Sequence, residues 1–344
     1  MKTIFITGAA GFLGSHLTDE MLRRGYRVIG YDNMSHGQLR NLETASQSPN
    51  FTFVAGDVRD SEAMRSAAAT HVDIVIHLAA FKIPRYGKAT ETMLINSQGT
   101  VNALQLAVDH RAKFVITSTS DVYGKNPVLP FAEDGDLVLG PPTISRWAYA
   151  ASKLFDEHLV LAMSEETDIP ATVIRIFGSY GPRQHLSWWG GPQSVFIDAV
   201  LRDQAIQIHG DGLQTRSFTY VADTVRGIAA VAEANCLNRE IINIGGNREV
   251  TILQLAKMVH RLCGVPWPLR LEMVPYDQIA GRKYEDVRRR IPDIEKAKRT
   301  LGFEANVPLE EGLLQTIEWQ RPLVHSAIES CLEQSAMSLV AEHP

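Results

Sequence analysis

Through the first half of the chain, short runs of β-branched and aromatic residues alternate with stretches whose apolar positions recur at helical spacing. Residues 3–7, 27–31, 51–55, 74–77 and 114–118 read as strands, and residues 13–24 and 100–110 as helices between them. Strand, helix, strand repeated in this order makes long crossovers, which join parallel strands and lay helices over both faces of one sheet. A sixth strand, residues 171–176, follows the helix that carries Tyr149. The pattern predicts a doubly wound parallel α/β sheet whose ligand crevice opens at the carboxyl ends of its strands.

After Gly178 the alternation stops, and Gly, Pro, Trp and Arg take over in S-Y-G-P-R-Q-H-L-S-W-W-G-G-P-Q. Helices are predicted near residues 195–202 and 222–234, and the apolar run 241–244 has the composition to rejoin the sheet. The rest reads as a smaller mixed α/β lobe. The expected division is therefore a nucleotide-binding unit over residues 1–178, rejoined by about 220–245, a lobe over 179–322, and a tail, 323–344, with no legible signal.

Composition narrows the partners. A formal charge of -5 over 344 residues argues against a general nucleic-acid binder, which needs a concentrated basic surface. No stretch reaches the roughly 18 apolar residues of a membrane span, and the early run at Ile4–Ile6 is too short for a signal peptide, so a cytoplasmic protein is expected. Cys236, Cys263 and Cys331 are widely spaced and form no C-x-x-C pair, which points away from a disulfide framework or a metal site.

The candidate chemistry begins in T-G-A-A-G-F-L-G. Gly8, Gly11 and Gly14, with Phe12 and Leu13 between them, stand where strand turns into helix, and glycine there lets backbone N–H groups approach a pyrophosphate. Asp32 ends the second strand, where a carboxylate accepts ribose hydroxyls and repels a 2′-phosphate, so NAD is expected rather than NADP; Asn33 follows it. Asp57, beside Val58, is placed either to meet the adenine amino group or to cap a helix. Leu78, Ala79 and Ala80, after the fourth strand, let a dinucleotide lie against the backbone, or simply pack tightly, and Lys82 lies just beyond.

Tyr149 and Lys153, in Y-A-A-S-K, are four apart and share a helix face. A tyrosine that titrates near about 10 is a poor base at neutral pH. The Lys153 ammonium, with the positive nicotinamide, is expected to lower that value, so that the phenolate takes a proton from a sugar hydroxyl as hydride leaves the same carbon. Thr119 is expected to hold the oxygen in line.

These blocks, together with H-L-A-A, N-S-Q-G-T at 96–100, S-T-S-D-V-Y-G, Y-G-P-R, G-D-G-L-Q-T-R-S-F-T-Y-V and R-I-P-D-I-E-K-A-K, resemble the extended short-chain dehydrogenase/reductases, in particular their nucleotide-sugar epimerases, dehydratases and decarboxylases. The resemblance spans residues 3 to about 320 and implies a Rossmann-type fold, a bound NAD, a transient 4-keto sugar and a homodimer. It adds Asn96 and Thr117 to the cofactor contacts. Ser120, Gly178, Arg216, Arg282 and Arg290 join Lys82 and Thr119 around the substrate, with Arg216 on the pyrophosphate, whose oxygens an arginine fork matches. R-R-R at 288–290 also reads as a solvated basic edge. Two departures stand out: Gly178 occupies the place of an asparagine, and Trp188–Trp189 reads either as an aromatic wall or as core. Asp121 discriminates among outcomes, since the resembling dehydratases and decarboxylases carry an acidic residue there. Aspartate is short for that task, and 4-epimerisation of a UDP-hexose or UDP-hexuronic acid is the first expectation. UDP-glucuronate decarboxylation and 4,6-dehydration are the alternatives, and a non-catalytic NAD-binding regulator is the reading from another class.

Overall fold

A computed structural model describes residues 1–82, 88–279 and 284–341, with side chains as far as Glu329. The first half follows the predicted alternation: β1 (Thr3–Thr7), α1 (Phe12–Arg23), β2 (Arg27–Asp32), β3 (Phe51–Ala55), α2 (Ser61–Ala67), β4 (Ile74–His77), α3 (Ala89–His110), β5 (Lys113–Thr119), α4 (Trp147–Thr167) and β6 (Ala171–Ile176). The second half adds β7 (Ser179–Tyr180), α5 (Pro192–Leu201), β8 (Ile206–His209), β9 (Thr215–Ser217), β10 (Thr219–Tyr220), α6 (Val221–Glu233), β11 (Glu240–Ile244), β12 (Glu249–Thr251), α7 (Ile252–Cys263), β13 (Leu271–Val274), β14 (Arg289–Arg290), α8 (Glu295–Leu301) and α9 (Leu309–Ala341).

Seven strands form one sheet in the order β11-β6-β5-β4-β1-β2-β3, and every pairing in it is parallel. This is a Rossmann-type α/β fold. Strands such as β1 and β4 are buried along their whole length, as a sheet covered on both faces requires. One face packs Ile4, Ile6 and Val115 with Leu17 and Met21 of α1 and Ile228 of α6. The other packs Phe5, Val75, Phe114 and Val173 with Leu104 of α3 and Val160 of α4. The run at 241–244 rejoins the sheet as β11, beside β6.

Two boundaries differ from the sequence reading. Helix α3 starts at Ala89, well before residue 100, because its first turns bury polar and small residues, Thr92, Asn96 and Gly99, where an apolar stripe is the signal sought. Helix α9 continues through Pro322 into the tail left unassigned. It is held by Leu309, Leu313, Ile317 and Val324, buried at helical spacing. Among the described residues, no helix is long and apolar enough to cross a membrane.

The smaller sheets matter for what they pair. Strand β9 lies between β12 and β14, with Arg290 directly opposite Arg216. Gly178 has φ +45°, and a Cβ there would lie 2.2 Å from Ser217 O. The residue in the place of the family's asparagine is thus one that lets β9 close against the end of β6.

Candidate active site

A cavity of about 430 Å³ opens beside the carboxyl ends of β4, β5 and β6, and its lining runs from Phe12 and Leu13 past Leu78, Ala80 and Lys82 to Thr119, Tyr149 and Arg290. At its near end the turn from β1 into α1 is built for close approach. Gly8 adopts φ +72°, and a Cβ there would stand 2.9 Å from Ala79 N; a Cβ at Gly14 would fall 2.0 Å from Gly8 O. Gly11 caps α1 without a side-chain bond, which leaves the amides of the first turn and the positive end of the helix dipole for a ligand.

Asp32 is only 8% exposed, and its carboxylate accepts from Ala10 N at 3.1 Å and Met34 N at 2.8 Å. Burial raises its pKa. Asn33 donates to Asp57 at 2.9 Å, and Arg59 pairs with the same carboxylate, holding it well below the usual range. The helix-cap alternative for Asp57 fails: Asp60 caps α2, accepting from Glu62 N and Ala63 N. Val58 is buried in the core beside it. Thr117 donates to His77 O at 3.3 Å. Asn96 accepts from Phe81 N at 2.7 Å and donates to Ser152 at 2.9 Å, tying the loop after β4 to α4. A cradle with no room for a Cβ, an uncapped helix end and a buried carboxylate after β2 fit the diphosphate and ribose of a dinucleotide.

Thr119, at the end of β5, and Tyr149, in the first turn of α4, both line the cavity, and Thr119 Oγ1 also donates to Asp121 Oδ2 at 3.4 Å. Below them Glu157 of α4 accepts from Ser118 at 2.5 Å and pairs with the buried Arg175 at 2.7 Å, which locks β5, β6 and α4 together. Burial pushes the Tyr149 hydroxyl well above the ordinary tyrosine value, and the carboxylates of Asp121 and Asp156 push the same way; the Thr119 bond and the Arg290 charge only oppose them. The Lys153 ammonium, 1% exposed, donates to the equally buried Asp156 at 2.8 Å. A cation compensated at that range leaves little field for the phenol.

The far wall carries charge that the sequence reading only partly anticipates. Arg290 donates to Asp121 Oδ1 at 2.5 Å, and Arg146 reaches the same oxygen at 3.1 Å. Arg146 also meets Asp286 Oδ1 at 3.4 Å, to which Arg216 donates at 2.6 Å. Three guanidinium groups thus share two carboxylates on one cavity wall. Burial and the neighbouring Arg290 and Arg146 lower the Arg216 pKa against the pull of Asp286. For Arg146, burial opposes the charge, but Asp121, Tyr284 and Asp286 outweigh it and raise the value. The solvated-edge reading of R-R-R holds for Arg288 and Arg289, which are exposed in pairs with Asp211 and Glu249, whereas Arg290 turns inward. Ser120 lies 3.4 Å from Arg290 and lines the cavity. Arg282 lies outside the described residues.

Sequence reasoning misses Arg146, Tyr284 and Asp286. For Arg146 a signal exists: it stands three residues before Tyr149, one helical turn away on the same face. Gln193, Gln214 and Ser217 are missed too. All three are buried and line the cavity, and Gln193 Nε2, Gln214 Oε1 and Ser217 Oγ find no partner among the described residues. Trp188 lines the cavity beside them, stacked on His209 at 4.4 Å.

Comparison with known proteins agrees with this layout. The family model described as GDP-mannose 4,6 dehydratase matches residues 5–316. A UDP-N-acetyl-alpha-D-glucosaminuronate decarboxylase of Bacillus cytotoxicus is 36% identical over 324 residues, 94% of this chain and 98% of that protein. The UDP-glucose 4-epimerase of Thermotoga maritima, solved with UDP-glucose, superposes with a TM-score of 0.83 at 31% identity, covering 94% of this chain and 99% of that one. The UDP-glucuronic acid 4-epimerase of Bacillus cereus, solved with UDP-glucuronic acid and NAD, gives 0.82 at 29% identity over 93% and 99% of the two chains.

Proposed function

The chain belongs to the extended short-chain dehydrogenase/reductase family of NAD-dependent nucleotide-sugar epimerases, dehydratases and decarboxylases, and from that premise we propose that it is an enzyme that oxidises C4 of a nucleoside-diphosphate hexuronic acid and then removes the carboxyl group. The observation that carries the proposal is the meeting of Arg146 and Arg290 at Asp121, two residues from Thr119. Two half-buried arginines beside the reacting hydroxyl suit a sugar that brings its own carboxylate, because an arginine fork pairs a carboxylate at two points. With three guanidinium groups on two carboxylates, the wall carries one more positive than negative charge, which a substrate carboxylate would meet and a neutral hexose would not.

NAD, which the glycine turn and Asp32 would hold, would supply the hydride acceptor and a positive charge near Tyr149. Thr119 and Tyr149 converge on the C4 oxygen, and Tyr149 takes its proton. In the resulting 4-keto acid the carboxylate lies β to the ketone. As the bond to carbon dioxide breaks, its electron pair passes into the ketone oxygen, where the Thr119 and Tyr149 hydroxyls stabilise the developing charge; C5 then takes a proton from water, and C4 takes back its hydride while Tyr149 returns the proton to the C4 oxygen. Arg146 and Arg290 fix the carboxylate, and Arg216 with the partnerless atoms Gln193 Nε2, Gln214 Oε1 and Ser217 Oγ would meet the nucleotide. Lys153, buried against Asp156, positions the floor of the site.

A second reading, 4-epimerisation, is favoured by one feature: Asp121 is short and engaged by two arginines, so it is poorly placed to manage a proton at C5. Incubating the protein with UDP-glucuronate, UDP-N-acetylglucosaminuronate and UDP-glucose, and reading product masses, separates the cases. Loss of carbon dioxide from a uronate is the expected result. An unchanged mass with inverted C4 establishes epimerisation, and turnover of UDP-glucose alone overturns the uronate reading.

A further inference from the structure

We propose that Trp189 is a cofactor-retaining residue, which closes on His36 and Phe81 across the mouth of the nucleotide cleft and sets how fast the dinucleotide leaves. The inference rests on the NAD reading above. The adjacent tryptophans of the W-W-G-G turn point in different directions. Trp188 faces the cavity. Trp189 instead lies 4.1 Å from the His36 ring and 5.0 Å from the Phe81 ring, edge to face with the latter. His36 stands 5.8 Å from Phe81 and 6.5 Å from His185, so the four rings form one cluster.

Both partners of Trp189 are anchored on the cofactor side. His36 follows Asp32 in the loop whose amides at Met34 and Ser35 are fixed by Asp32 and Asn33. Phe81 sits between Ala80 and Lys82, which line the cavity, and Asn96 bonds both its N–H and its carbonyl. The turn that presents Trp189 is itself tightly made. Ser187 Oγ accepts from Trp189 N at 3.3 Å, Ser187 O accepts from Gly190 N at 2.8 Å, and a Cβ at Gly190 would fall 1.8 Å from His185 O. A turn held by its own hydrogen bonds on one wall therefore bears on two rings of the other whose backbone is held in place, beside the carboxylate that fits the cofactor ribose. Such a contact suits a reaction that returns the cofactor to its starting state, since a nicotinamide lost halfway leaves the sugar stranded as a ketone.

The test follows release of the cofactor rather than turnover. Protein loaded with isotopically labelled NAD is moved into excess unlabelled NAD, and retained label is read by mass spectrometry for wild type, Trp189→Ala, Trp189→Phe, His36→Ala and the Trp189→Ala/His36→Ala double variant. Loss of two aromatic contacts is expected to speed release about three- to tenfold in Trp189→Ala, while Trp189→Phe stays near wild type and the double variant is no faster than Trp189→Ala. Wild-type release from Trp189→Ala, or additive effects in the double variant, overturns the clasp. Should Trp189→Ala fail to fold, His36→Ala alone must speed release, and a wild-type rate there is equally fatal. A wild type that never retains label instead sinks the NAD reading and the clasp with it.

Discussion

The two ends of the cavity are built by different means. The end that fits the cofactor is made of backbone: a glycine turn with no room for a Cβ at Gly8 or Gly14, an open helix N-terminus, and one carboxylate at a strand end. The other end, which we propose takes the sugar, is made of long side chains, Arg146, Arg216 and Arg290, brought from α4's entry, β9 and β14 and balanced on Asp121 and Asp286. A backbone site has few ways to vary without breaking the fold. A side-chain site changes its ligand by exchanging one residue, and this one chain shares its architecture with 4-epimerases while resembling decarboxylases in sequence.

Tyr149 stands where the two ends meet, and its loss is expected to have the largest effect. Tyr149→Phe should lower kcat by about 10²–10⁴, the usual worth of a positioned acid or base, while retaining bound NAD in wild-type amount, because no cofactor-end group depends on the hydroxyl. Comparable turnover with the phenol absent would remove Tyr149 from the chemistry. Gly14→Ala attacks the cofactor end alone. Its methyl would meet Gly8 O at 2.0 Å, a backbone atom with little room to yield, so we expect a loss of about 3 kcal/mol in unfolding free energy or outright failure to bind NAD. A variant that melts and binds NAD like wild type contradicts the cradle.

Arg146→Met tests the sugar end in the same way. It keeps much of the side chain's bulk but removes one of two cations from Asp121 and one from Asp286. We expect KM for a nucleotide-linked uronate to rise about 10- to 100-fold, the value of a charge-assisted hydrogen bond to an anion, with NAD retention unchanged. An equal rise for UDP-glucose would show that Arg146 holds the protein together rather than selecting a carboxylate.

The same contrast explains what was legible from the amino-acid order. Gly8, Gly11, Gly14 and Asp32 lie on consecutive elements and report a backbone conformation, so local pattern suffices. Tyr149, Lys153 and Thr119 are legible as a constellation, but the partner of Lys153 is not: Asp156 looks like one more charge on a helix until burial shows it neutralising the ammonium. Arg146 and Asp286 are nearly silent, since their meaning comes from β9 pairing with β14 and from the approach of residues 284–287 to the start of α4. The helical tail is hidden for another reason. Pro322 reads as a stop, yet buried Leu313, Ile317 and Val324 hold α9 through it.

Acid separates the two ends by the smallest effect. His16 of α1 donates to Pro182 O at 3.0 Å and so links the cofactor helix to the loop after β7. Burial lowers its pKa from 6.5 to about 4, with Arg183 acting the same way against the Pro182 bond. The folded value is depressed, so the stabilisation is fully present above pH 6.5 and is lost as pH falls toward 4, where the unfolded chain binds the proton first. At about 1.4 kcal/mol per pH unit, acidification from pH 7 to 5 should cost about 2 kcal/mol through this residue. His77, lowered to about 3 by burial and by Lys153, adds to the slope from the cofactor end. The arginines of the sugar end stay charged throughout that range. His16→Gln keeps a donor for Pro182 without a titrating ring, so the fall in melting temperature between pH 7 and 5 should be visibly shallower than in wild type. Parallel curves would show that His16 takes up its proton in the folded protein, and that the buried contact between α1 and Pro182 opens before the rest.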